Sequence, residues 1–99
     1  MLKPTHIGFV WYTADDYAAA RALMLDSEKL PKTFSDWLAK AEQGVKAQCK
    51  GGIIPVKAYV HSQLFGAWCL LAHNVKPDAQ GRLLFANHTA YDAAIKARG

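Results

Sequence analysis

The sequence predicts one α/β domain of the α+β kind, with element order β-α-α-β-α-α and a two-stranded sheet packed against helices. Two short runs carry the strands. HIGFVWY, residues 6 to 12, and IIPVKAYVH, residues 53 to 61, alternate β-branched or aromatic residues with a period of two. Between and after them lie four stretches with helical spacing, each opened by a residue suited to cap a helix. Ninety-nine residues suffice for one modest core, so the domain is expected to span 1–99.

In the first strand Ile7, Phe9 and Trp11 face one side, with Val10 and Tyr12 on the other, so both faces are apolar and should be covered. Thr13 then opens TADD, an acidic variant of the capping box with Asp16 three positions on. A helix of about three turns should follow, ending near Asp26. Thr33 and Asp36 repeat the arrangement before a second helix, whose Phe34, Trp37, Leu38, Ala41, Val45 and Cys49 fall in one arc. Lys40, Lys46 and Lys50 lie away from that arc. Gly51 and Gly52 should end this helix, and Pro55, which cannot donate to a ladder, belongs at the start or edge of the second strand. Ser62 can cap the third helix and Asn74 can close it; Asp78 can cap an alanine-rich fourth helix reaching about Lys96, with Gly81 weakening its first turn. The stretch LDSEKLPK is long enough to return the chain and make the strands parallel. A simple reversal would make them antiparallel, and the pattern alone leaves the direction open. Two strands rarely suffice on their own, so the open face or edge of the sheet is expected to meet a second copy.

Composition narrows the class. With 52% hydrophobic and 20% charged residues the chain should fold, and no apolar run approaches the ~18 residues of a membrane span. The first residues lack the apolar stretch and cleavage site of a signal peptide. A soluble cytoplasmic protein with no membrane partner is expected, its two cysteines, Cys49 and Cys69, free. The net charge of +4 is concentrated: between Glu42 and Asp78 there are four lysines, Lys46, Lys50, Lys57 and Lys76, and no acid.

The chemistry-bearing residues are few. Cys69 and His73 stand four apart on the third helix, a spacing that puts two metal-capable side chains on one face. A zinc site needs three or four ligands, and no short Cys or His pair supplies the rest. No metal or other cofactor is expected, with Cys69 and His73 the candidates were one bound. Projected at about 100° per residue, Leu64, Trp68 and Leu71 form the inward stripe, and Cys69 and His73 lie nearly opposite. Gly66 and Leu70 share that outer side, which makes Gly66, Leu70 and His73 the candidate interface. Trp11, Trp37 and Trp68 fall on inward stripes and are expected to meet in one core. His61 beside Ser62 is a nucleophile and base only by proximity, since neighbours in sequence rarely face each other. Phosphate-loop, dinucleotide, nucleophile-elbow and HExxH motifs do not occur, so the leaning is against an enzyme. Lys40, Lys46, Lys50 and Lys57 are candidate nucleic-acid contacts, yet three arginines in the whole chain argue against base reading.

The pieces WY (Trp11, Tyr12), LPKTFSDW (Leu30 to Trp37), FGAWC (Phe65 to Cys69) and RLLFA (Arg82 to Ala86) resemble, in their order, a family of short bacterial proteins without an assigned activity. The resemblance implies a bacterial source and carries over no catalytic residue. The chain departs from that pattern after the second strand, where His61-Ser62-Gln63 replaces an expected acid. The expectation is a small non-enzymatic interaction or regulatory protein, homodimeric and with a further protein partner within reach; the alternative is a nucleic-acid-binding protein using the lysines.

Overall fold

The two alternating runs pair as a sheet in the computed structural model, which describes residues 5–97 apart from the side chain of Ala72. Residues 1–4 and 98–99, Arg98 included, lie outside the described residues. Strands β1 (His6–Trp11) and β2 (Ile54–Tyr59) are parallel, with His6 opposite Ile54 and Trp11 opposite Tyr59. Between them run α1 (Tyr17–Leu23), a single 3₁₀ turn (Ser27–Lys29) and α2 (Phe34–Gln48). Parallel pairing needs such a crossover, and the LDSEKLPK stretch makes the return. After β2 come α3, which begins as Phe65–Ala67 and continues as a π-helical turn over Trp68–Ala72, and α4 (Ala79–Ala97).

Helix α4 crosses both strands on one face of the sheet. Its approach is closest at Gly8, where an added Cβ would lie 2.6 Å from the carbonyl carbon of Ala86 and run into its oxygen. Only a residue without a side chain lets β1 reach the helix backbone there. Strand alternation then puts Val10, Val56 and Ala58 on the α4 face, and Phe9, Trp11 and Lys57 on the other. That second face meets an aromatic cluster. Trp37 of α2 packs edge-on against Trp11 and Tyr12, with ring centroids 5.1 and 4.9 Å apart, and Tyr17 and Phe34 close the group. Near-perpendicular rings bring a positive edge onto a negative face, which adds to the area they bury. Trp68 packs at the margin of the same core, without a ring contact to Trp11 or Trp37 among the described residues. It is half-buried with Phe65 and Phe85, where α3 leans on α4.

Several ends form as the sequence requires. The Thr33 hydroxyl accepts the Asp36 N–H at 3.2 Å and starts α2, while Asp78 accepts from Gln80 and Gly81 at 3.0 and 3.2 Å and starts α4. Asn74 closes α3 with φ 52°, a left-handed conformation that asparagine tolerates, and Gly51 and Gly52, at φ 72° and 86°, turn the chain into β2. Helix α1 is shorter than three turns, ending at Leu23 rather than near Asp26, and the Asp16 carboxylate makes no cap hydrogen bond because it is engaged by Ser62. Far along the chain, both Nη atoms of Arg82 donate to the two oxygens of buried Asp26, at 2.7 and 2.8 Å, and tie the 3₁₀ segment to α4. Among the described residues no helix is long and apolar enough to cross a membrane.

Candidate functional site

Helix α3 places Cys69 and His73 differently from a regular helix. Cys69 is fully buried, close to Gly81 of α4: a Cβ added at Gly81 would lie 3.2 Å from the Cys69 sulfur and would run into the Lys76 carbonyl oxygen. Burial pushes its thiol up from the usual value. His73 instead stacks on the Trp68 ring, centroids 4.1 Å apart, and meets His88 of α4 at 5.0 Å. The buried side is that of Phe65 and Cys69, four residues apart, and the π turn over Trp68–Ala72 shifts the phase further beyond it. A π-helix takes more residues per turn than an α-helix, so a projection at about 100° per residue loses phase through it. Leu64 and Leu71, inward by that projection, are exposed, Leu71 by 82%. The helix end is sealed by the Val75 N–H donating to the Cys69 carbonyl at 2.8 Å. Among the described residues, no three of His, Cys, Asp or Glu converge as a metal site would need.

Of the three interface candidates, Leu70 is 62% exposed and Gly66 has open space around it, while His73 is half-buried against Trp68 and His88. A second apolar surface lies on α4. Leu84, His88, Tyr91 and Ile95 follow one another at spacings of four, three and four, which lines them along one side, with Leu83 beside them. Ala86 and Ala90 face the sheet, so this stripe points away from it; Tyr91 is 66% and Ile95 46% exposed. The spacing was legible in the sequence. It was masked by the alanines, which made the whole helix look apolar.

The lysines divide. Lys46 and Lys57 line one shallow crevice at the α2 side of β2, together with Trp11, Glu42, Val45 and Pro55, and Lys57 Nζ sits 4.6 Å over the Trp11 ring. Lys40 is about 120° around α2 from Lys46, and Lys50 lies past the helix end. The four do not make one patch.

Asp16, His61, Ser62, Gln63 and Leu64 line a second crevice. There the Ser62 N–H and hydroxyl donate to Asp16 at 2.8 and 2.6 Å, holding its carboxyl below the ordinary value. Ser62 neither caps α3 nor pairs with His61: its hydroxyl donates to the Asp16 carboxylate instead. Nothing in the sequence pairs these two positions, 46 residues apart. A compact α+β domain, its two-stranded parallel sheet packed against helices, is what fold and geometry define. No protein-family model, no curated protein and no solved structure matches this chain.

Proposed function

We propose that this chain is a small non-enzymatic interaction or regulatory protein, and that it works as a homodimer paired through the outward side of α4. The observation that carries this is the coincidence of apolar character and neutrality on that helix. From Leu83 to Lys96 the only charged side chains are Asp92 and Lys96, which cancel, whereas the lysines that give the chain its net +4 lie on α2, β2 and the loops. Two copies of a basic protein can approach at α4 without opposing like charges. A two-fold axis makes one such stripe complementary to itself, and each apolar side chain is then buried twice, at on the order of 1 to 3 kcal/mol apiece. His73 rests on His88, a member of the stripe, so the α3 candidates adjoin the same surface.

The test is the mass in solution. Light scattering behind gel filtration should give twice 10.9 kDa for the native protein and the single-chain mass for Tyr91→Lys, with unchanged circular dichroism because Tyr91 is mostly exposed. A native protein that stays monomeric at its highest soluble concentration ends the dimer proposal.

A further inference from the structure

Strand β2 ends the sheet, and its outward side has unused backbone groups. The Ile54 N–H donates to Thr5 and the Val60 N–H to Trp11, both toward β1. By the two-residue period Val56 and Ala58 also face β1, which leaves the peptide groups of Lys57 and Tyr59, and the carbonyl of Pro55, turned outward. Among the described residues no turn, loop or side-chain hydrogen bond engages them. An open edge of this kind is a template for another strand.

Charge decides which strand. Two copies meeting edge to edge would set Lys57 near its own counterpart, and lysine and proline at an edge oppose such self-pairing. An acidic segment meets the opposite situation, because Lys46 and Lys57 outnumber the one acid, Glu42, in the crevice beside β2 on the α2 side, with Val45, Pro55 and Trp11 as its apolar floor. A nucleic acid fits less well. Trp11 is only 6% exposed and already covered by Lys57, so it offers no open ring for a base. A phosphate chain would also leave the free N–H and C=O groups of the edge unused, whereas a peptide strand pairs with them.

We infer that the β2 edge binds an extended acidic peptide segment as a third strand, its carboxylates alternating toward Lys46 and Lys57. This rests on the interaction reading above but uses a different side of the domain, so the two can fail separately. The probe is a fluorescein-labelled, end-blocked peptide alternating glutamate and valine, followed by anisotropy. Three comparisons accompany it: the same peptide N-methylated at alternate residues, oligothymidylate, and amide hydrogen exchange at Lys57 and Tyr59. Expected are saturable binding, protection of the Lys57 and Tyr59 amides, loss of binding on N-methylation, and weakening by about tenfold in Lys46→Glu and more in Lys46→Glu/Lys57→Glu. Lys46 is exposed on α2, so its variant separates lost affinity from lost folding. Failure of the native protein to bind the peptide, equal binding of the N-methylated form, or tighter and steeply salt-dependent binding of oligothymidylate overturns the inference. Tyr91→Lys should bind the peptide as the native protein does. A protein that binds the peptide yet never dimerises would overturn the α4 pairing alone.

Discussion

Gly8→Ala and Gly44→Ala make the same chemical change, one methyl group, and should move stability in opposite directions. At Gly8 the new carbon would lie 2.6 Å from the Ala86 carbonyl carbon and 3.2 Å from the Ala90 Cβ. Non-bonded carbons prefer about 3.5 to 4.0 Å, so α4 must retreat by about 1 Å. A retreat of that size forfeits a quarter to a half of the dispersion well at each contact along the helix–sheet interface. Overpacking usually costs about 1 to 3 kcal/mol when side chains can adjust. Here the obstacle is a mid-helix carbonyl that cannot rotate away, which puts the expected cost at or above about 3 kcal/mol, out of a total of roughly 5 to 15. Gly44, in α2, has no neighbour within 4 Å of an added Cβ, and alanine there should gain about 1 kcal/mol through helix propensity. Urea titrations followed by tryptophan fluorescence measure both, since Trp11 and Trp37 report on the core. A Gly8→Ala protein within 1 kcal/mol of native would refute the claim that β1 touches the backbone of α4.

Arg82→Leu should cost about 3 to 5 kcal/mol, because it strands the Asp26 carboxylate, whose side chain is 12% exposed. The paired guanidinium holds the Asp26 carboxyl below its ordinary value of 3.8; a value lower folded than unfolded means the stabilisation is present above pH 3.8 and lost as pH falls through the folded value. Urea midpoints across that acid range should therefore fall more gently in Arg82→Leu than in the native protein, with the Asp16 contribution remaining. Tyr12→Phe should be neutral or stabilising by about 1 kcal/mol: the buried Tyr12 hydroxyl has no hydrogen-bond partner among the described residues, and burial pushes its pKa up to about 12. A loss above 1 kcal/mol in the same titration would mean that the hydroxyl has a partner after all.

Local chemistry was readable wherever a few neighbouring residues decide the outcome. Thr33 with Asp36, Asp78, Asn74 and the two β runs each act within a turn, so their sequence signals survive folding. The third helix was not readable, for a physical reason. Phe65 to Ala72 is apolar all round, so periodicity alone cannot choose its buried side. The buried side depends on the partner helix, where Gly81 leaves room for the Lys76 carbonyl and the Cys69 sulfur. The same glycine, seen locally, is only a weak helix former. Long-range pairs were equally silent: Asp16 reads as a cap until Ser62 arrives from beyond β2, and Asp26 reads as a loop acid until Arg82 clamps it. The parallel direction was a third case, since it depends on the path of the whole crossover and not on either strand.

The two proposed surfaces have a joint consequence. Helix α4 covers one face of the sheet and presents its stripe away from it, whereas the crevice of Lys46 and Lys57 opens on the α2 side. A dimer paired through α4 therefore keeps both β2 edges outside and related by two-fold symmetry, which makes it bivalent. Bivalency leaves the affinity for a free peptide unchanged. On a surface densely coated with the glutamate–valine peptide, the second site binds at high effective concentration, and retention should exceed that of monomeric Tyr91→Lys by up to about 10² to 10⁴. Surface plasmon resonance at high and low peptide density separates the two effects: native and variant should dissociate alike at low density and diverge at high density. Equal dissociation at both densities would mean that the two edges cannot reach one coated surface together, and pairing through α4 would then have to place them closer to back-to-back than side by side.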